Sequence, residues 1–497
     1  MDGNSRRWQA PGRRLPRTFS DGDHWYGTAG ATYIRDGEDL RDSQKLMALF
    51  GYGLLSLVVA SLFVVSRANV LPAHRVGFFR AHLVQRAPLN ETWGQYSPYF
   101  PSGSYSAPPD GCEVDQVNII QRHGARYPTD GATERIQAAL AQFANVTEYK
   151  DEKIAFVADY EYDLGVSHLI AFGARQSYEA GEEVYERYSD LVSNGSIPFV
   201  RASGSERVID TATNWTAGFS AASNGAYSPV LNLIISEELN DTLDDAMCPN
   251  VGESDAQTDE WTSIYAAPIA ERLNNNAVGA NLTTTNVYNL MSLCPFDTLA
   301  NETPSPFCDL FTEDEFDGFA YVGDLDKYYG TGYGQELGPV QGVGYINELI
   351  ARLTGQPVQD STQTNHTLDS SNETFPLDRT VYADFSHDNQ MIAIYSAMGL
   401  FAQAAALDPS TPDPARTWRA SNLVPFSARM VTERLSCSGE AYVRVLVNDA
   451  LQPLEFCGSG DGKCTLNAFV ESQSYARNNG NGDFDKCGWV EPEGTSA

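Results

Sequence analysis

Arg122, His123 and Arg126 stand within one short turn, after the apolar run Val117, Ile119 and Ile120 and before Pro128. Each guanidinium offers a planar fork of donors that matches two oxygens of a phosphoryl group, and it stays charged at every physiological pH. An imidazole held between two such groups can attack phosphorus while they hold its oxygens. The same cations disfavour imidazolium, so the histidine remains a neutral nucleophile at lower pH than a free one would. The pattern predicts phosphoryl chemistry that runs in acid.

Two further stretches bring compatible groups. Ile197-Pro198-Phe199-Val200 predicts a short strand that delivers Arg201, a third guanidinium, with Ser203-Gly204-Ser205 behind it as a helix start. Val381 to Phe385 predicts another strand, followed by His387 and Asp388. Open α/β sheets place their sites at the carboxyl ends of strands, where all three groups would meet. An Asp opening a helix is also an ordinary cap. Next to the upstream motif, Asp388 reads better as a general acid for the departing alcohol, with His387 donating to phosphate.

Arg122-His123-Gly124-Ala125-Arg126-Tyr127-Pro128 resembles the motif of histidine acid phosphatases in the form carried by fungal phytases. Arg201 to Val208 and Tyr382 to Asn389 match in the family's order and spacing, and the similarity runs from about Cys112 to Trp489, including Gly338 to Tyr345. The resemblance implies an α/β fold, a mixed central sheet flanked by helices with a second, mostly helical domain inserted. Residues 87–160 and 336–497 are expected to form the α/β catalytic part and 161–335 the helical one. It implies hydrolysis of small phosphomonoesters through a phosphohistidine, with His123 as nucleophile, Asp388 as acid, and Arg122, Arg126, Arg201 and His387 around the phosphate. No metal and no cofactor is expected.

Phytase members of the family carry lysines that hold the many phosphates of inositol hexakisphosphate. At the corresponding places here only Arg135 and Lys327 remain basic, and Asp326 stands beside Lys327. The expectation is a broad acid phosphatase that also acts on phytate. The resemblance further suggests disulfides Cys112–Cys437, Cys248–Cys487, Cys294–Cys308 and Cys457–Cys464. The family's extra N-terminal pair is absent, which leaves Trp93 to Asp110 expected as a loosely held surface segment. Two other functions fit the same residues: a phosphotransferase using the same phosphohistidine, and an anchored protein that binds phosphorylated ligands without turning them over.

Around these motifs the sequence predicts helices at Thr133–Asn145, Gly173–Val192, Val208–Phe219, Met391–Leu400 and Thr465–Tyr475, and one opened by Gly338 to Tyr345 that runs through Ile346, Leu349, Ile350 and Leu353. Strands are expected at Val230–Ser236, Val431–Cys437, Val443–Val447 and Pro453–Phe456. Short helical patches are expected between Asp241 and Gln335, and an exposed loop at Thr354–Asn372.

The chain has 497 residues, 42% of them hydrophobic, enough for two domains with real cores. Residues 1–45 hold Arg pairs among Gly, Pro, Asp and Ser and predict a disordered, cytoplasmic tail. Leu46 to Val65 is uncharged, and at about 1.5 Å per residue it spans a bilayer core of about 30 Å. It reads as a transmembrane signal anchor, with a cleaved secretory signal as its rival and a core helix as the plain alternative. All nine Asn-x-Ser/Thr acceptors and all eight cysteines follow it, which places the catalytic part in a lumenal or extracellular, oxidising compartment, or outside the cell if the segment is cleaved. Residues 87–497 carry 21 Lys/Arg against 58 Asp/Glu, a formal charge of −37, which excludes nucleic acid as a partner. Such a surface repels anions at neutral pH and less so in acid. No feature of the sequence sets an oligomeric state.

Overall fold

Eleven residues from Cys112 to Arg122 form the central strand, β1, which runs with its last seven residues buried. On one side it pairs in parallel with β4 (Val381–Ser386), which pairs in turn with β2 (Phe199–Ser203), and β2 with the edge strand β3 (Leu231–Ile235). On the other side it pairs antiparallel with β5 (Arg429–Cys437), continued by β6 (Glu440–Val447) and the two-residue strands β7 (Ala450–Leu451) and β8 (Cys464–Thr465). The result is a mixed eight-stranded sheet. These coordinates are a computed structural model and describe residues 88–490, all within the compact unit that spans 83–497. The expected tail at 1–45 and apolar segment at 46–65 lie outside the described residues. Among the described residues no helix is long and apolar enough to cross a membrane.

Helices cover both faces of the sheet because its strands are apolar on both. Val117, Ile119, Val200, Ala202 and Phe385 pack against α2 (Ala171–Tyr188) and α3 (Glu206–Ala222) through Val184, Trp215 and Phe219. Ile120, Met430 and Val445 share a core with Ile346 and Leu349 of α7 (Val343–Thr354) and Met391 and Ile392 of α8 (Asp388–Met398). Burying each such side chain is worth roughly 1.5–3 kcal/mol, so this double layer holds the strand ends rigidly.

A third core joins α1 (Asp130–Ala141) to three long helices, α4 (Asp255–Asn276), α5 (Thr284–Asn301) and α6 (Glu313–Gly330), through Ile136, Leu273, Leu290 and Phe316. The expected division at 161–335 therefore does not follow the layers. Its first part, α2 through β3, belongs to the sheet layers, and the long helices of its later part fall within 255–330. The expected short patches are full helices. Pro268 and Pro295 inside α4 and α5 obscure the pattern, whereas the capping boxes Thr283/Asn286 and Thr312/Glu315 mark the starts of α5 and α6.

Two loops also differ from expectation. Gln363 and Thr364, in the stretch taken for an exposed loop, are fully buried, and the Asp360 carboxylate accepts from Thr362 and Thr364. Trp93 and Ser97 are buried too, with Phe426 N donating to Ser97 O at 2.9 Å, so the segment before β1 is pinned without its extra disulfide. Residues 453–456 form no strand, and β7 and β8 complete that edge instead. All four expected disulfides are present.

Candidate active site

The register of β1 with β4 matches Arg122 to Ser386, and His123 N donates to Ser386 O at 3.0 Å. Both strands therefore end at the same level, with His123 next to His387 and their ring centroids 5.7 Å apart. Gly124 lets α2 come close: a Cβ there would lie 2.3 Å from the Gly173 carbonyl oxygen. Ser427 N donates to His123 O at 3.0 Å and closes the other side.

His123 is only 1% exposed, and its Nδ1 lies 2.9 Å from the Gly124 carbonyl. A carbonyl can only accept, so Nδ1 carries the hydrogen and Nε2 keeps its lone pair. Burial, then Arg122, Arg126, Arg207 and His387, hold its pKa well below the ordinary value. The imidazole is thus neutral and oriented at acid pH.

Arg122 is fully buried and anchored by main-chain carbonyls, with NH1 donating to Gln95 O at 2.5 Å and Val424 O at 2.6 Å. Phe426 lies under it, 4.6 Å from guanidinium to ring centroid. Arg126 donates to Tyr127 O at 2.8 Å, and burial with Arg122 nearby pushes its pKa down to about 10, which leaves it charged at acid pH. The Nε atoms of Arg122, Arg126 and Arg207 have no hydrogen-bond acceptor among the described residues. Three buried donors on convergent cations fit a tetrahedral oxyanion.

A cleft of about 270 Å³ is lined by Arg126, Arg207, His387 and Asp388 of this group and, beyond them, by Asp244, Asp245, Asp326 and Lys327. A larger cleft of about 750 Å³, lined by Trp261, Tyr265 and Arg416 among others, contains none of the motif residues, and the chemistry places the site in the smaller one. Glu237, Asp244 and His387 bring three potential metal ligands within 4.8 Å of one another. A cation there would displace the hydrogen bond between Glu237 and His387.

Residues 113–448 match the family model of the histidine phosphatase superfamily, branch 2. The chain belongs to that family. It is 44% identical over 418 residues to Phytase A of Emericella nidulans, covering 79% of this chain and 90% of that one. It is 40% identical over 461 residues to Phytase A of Arthroderma benhamiae, covering 87% and 98%. In fold it is similar to the crystal structure of the phytase from D. castellii, with a TM-score of 0.70, 24% identity and coverage of 84% and 93%. The chain is accordingly a phosphomonoester hydrolase with the histidine phosphatase fold.

In this histidine phosphatase the expected set Arg122, His123, Arg126, His387 and Asp388 does converge. Arg201 does not join it. It lies inside β2, cross-strand from Asp384, and its guanidinium is consumed by Asp384 at 2.8 Å and Glu348 at 2.6 Å, with Arg352 on the far side of Asp384 at 2.6 Å. Side chains of a strand interior point into a face, not over its end. The third guanidinium at the cleft is Arg207, in the first turn of α3, with NH2 3.1 Å from His387 Nδ1. The helix start expected at Ser203-Gly204-Ser205 was the signal for it, because the residue just past a strand end reaches the carboxyl edge.

Arg135 is exposed on α1 and does not line the cleft. Lys327 does, but its ammonium is engaged by Asp388 at 2.9 Å, Asp326 at 3.2 Å and Asn389 at 2.6 Å. Burial lowers its pKa, but Asp388 and Asp326 outweigh that and raise it. Asp388 answers in kind. Burial alone would raise its carboxyl, yet Arg122, 3.2 Å away, and Lys327 hold it well below the usual carboxylate range.

Proposed function

We propose that the enzyme hydrolyses phytate and simpler organic phosphomonoesters in acid through a phosphohistidine at His123. The observation that carries this proposal is the neutral, buried imidazole with its Nε2 lone pair free among three guanidinium groups. Nε2 attacks phosphorus in line, and Arg122, Arg126 and Arg207 take the non-bridging oxygens with donors that lack a protein acceptor. His387 stands beside them as a further contact to the phosphoryl group.

Asp388 is an ionised carboxylate before substrate binds, so its proton has to arrive with the substrate. Near pH 5 an alkyl phosphate is a monoanion that carries one proton. As the phosphoryl group draws Arg122 toward itself, Asp388 loses part of its counter-charge and becomes basic enough to take that proton. It then gives the proton to the alkoxide as the P–O bond breaks. In the second half Asp388 accepts a proton from water, whose oxygen attacks phosphorus and frees His123.

Inorganic phosphate should be released from both phytate and an aryl monophosphate near pH 5, and rapid alkaline quenching should trap a base-stable, acid-labile phosphoryl enzyme. Failure to release phosphate from either substrate sinks the assignment. Transfer to an added alcohol in preference to water would favour the phosphotransferase.

The rim sets the expectation for selectivity. Three carboxylates, Asp244, Asp245 and Asp326, face the space that the non-reacting phosphates of phytate would enter, and the one lysine there is already paired. Burial pushes Asp244 up to about 6 and Asp245 upward as well. Asp244 is therefore largely neutral near pH 5 and turns negative as the pH passes 6. The kcat/KM for phytate should fall more steeply between pH 5 and pH 7 than that for an aryl monophosphate. Asp326→Lys should raise the phytate value about three- to tenfold, the effect of reversing one charge near a polyanion in a wet cleft. Equal pH slopes for the two substrates, with no response to the substitution, would remove the rim from the account.

We also propose that residues 46–65 anchor the enzyme with its catalytic part outside the cytosol. Support comes from their 20 uncharged residues, and from the nine glycosylation acceptors and four disulfides that follow. Sequencing the mature N-terminus tests it, since cleavage after Ser66 or Ala68 would make the enzyme secreted.

A further inference from the structure

A carboxylate that belongs to none of the three motifs lies behind His387. Glu237, two residues past β3, places Oε1 2.9 Å from His387 Nε2. The same oxygen accepts from Ser205 N at 2.9 Å, Ser205 Oγ at 2.6 Å and Ser203 Oγ at 2.9 Å. Ser205 immediately precedes α3, whose first turn carries Arg207. One carboxylate is therefore bonded both to the loop that presents Arg207 and to the ring of His387.

The arrangement selects a tautomer. Arg207 NH2 sits 3.1 Å from His387 Nδ1, and a guanidinium only donates, so Nδ1 accepts and Nε2 carries the hydrogen given to Glu237. Ser203 Oγ is also 2.8 Å from Asp241 Oδ2. A hydroxyl has one proton, and if that goes to Glu237, Asp241 must donate in the other bond. Burial pushes the Asp241 carboxyl well above its ordinary value, which keeps it protonated for that purpose. Donors from Asp241 through Ser203 on one side and from His387 on the other therefore converge on the Glu237 carboxylate.

We propose that Glu237 is a positioning residue for the reaction: through Nε2 it fixes the tautomer and plane of His387, and through Ser205 the placement of Arg207, so that both meet the phosphoryl oxygens together. The proposal rests on the assignment of His123 as nucleophile. Arg122 and Arg126 hold the phosphate in the ground state without Glu237, so its loss should act on kcat and spare KM.

The test compares Glu237→Ala and Glu237→Gln with wild type on an aryl monophosphate near pH 5, with His123→Ala as the control. Glu237→Ala should lower kcat about 10- to 100-fold with KM within about threefold. Glu237→Gln, which keeps an acceptor for Nε2–H, should recover a large part of that loss. Inhibition by vanadate, which mimics five-coordinate phosphorus, should weaken in step with kcat, while inhibition by inorganic phosphate holds. A kcat within threefold of wild type in Glu237→Ala overturns the proposal, as does an equal loss of phosphate and vanadate binding. If the alanine variant does not fold, kcat and vanadate affinity within threefold of wild type in Glu237→Leu, which offers Nε2–H no acceptor, overturn it as well. Failure of the nucleophile assignment shows separately, as turnover that survives in His123→Ala.

Discussion

His123→Ala is expected to lower kcat on an aryl monophosphate by at least about 10⁴-fold, because the substitution removes the atom that forms the covalent intermediate. Binding should survive. Arg122 is held by two main-chain carbonyls and by Phe426, none of which depends on the imidazole, so inorganic phosphate should inhibit the variant's residual activity as it does the wild type. Stability should fall only by roughly 1–2 kcal/mol, the cost of a small cavity next to a neutral ring. In the wild type, burial and Arg122, Arg126 and Arg207 hold the His123 pKa well below 6.5. Activity should therefore persist as the pH drops through 6.5, where a free imidazole would be lost to protonation. A His123→Ala enzyme that keeps more than about one part in a hundred of kcat would dismiss the covalent route. An inactive variant that also fails to bind phosphate would show that His123 shapes the site rather than attacks from it.

How much of this was legible varied with the range of the interaction. The turn from Arg122 to Pro128 declared itself because all its chemistry lies in consecutive residues and its position follows from one apolar strand. His387 and Asp388 were readable for the same reason. Arg201 and Arg207 differ by six positions, and only the end of β2 decides which reaches the cleft; the strand was expected two residues early, at Ile197–Val200 instead of Phe199–Ser203. That small shift placed the interior Arg201 at the edge. Lys327 lines the cleft, but its pairing with Asp388 depends on α6 and α8 meeting, which no local pattern states. Glu237 was beyond reach. It lies 150 residues from His387 and gains its role only when the chain past β3 crosses the end of β4.

Arg201→Ala and Arg207→Ala should separate folding from chemistry. Arg201 is 1% exposed and shares Asp384 and Glu348 with Arg352 and Thr242, so its removal leaves buried carboxylates short of a cation. Breaking such a pair from one side costs about 3–5 kcal/mol, although the intact network is worth far less against an apolar replacement. The loss should lower Tm by about 5 °C or more and leave KM and kcat of the folded fraction near wild type. Arg201 and Arg352 hold Asp384 down to about 2 against its burial. A lowered carboxylate stabilises the fold above its unfolded pKa and fades as the pH falls toward the folded one, so the network is intact at pH 5 and weakens only below about pH 4. Part of the wild type's acid tolerance should disappear with Arg201. Arg207 has the opposite signature. Its Nε lacks an acceptor and its NH2 meets only a neutral ring nitrogen at 3.1 Å, so little folding energy depends on it. Removing a cation aimed at developing phosphoryl charge should cost about 10²–10³ in kcat/KM with Tm nearly unchanged. Thermal melts and steady-state kinetics on the two variants suffice. If Arg201→Ala melts like wild type and loses kcat/KM while Arg207→Ala keeps it, Arg201 must turn out of its ion pairs to meet substrate, and the assignment of the third guanidinium reverses.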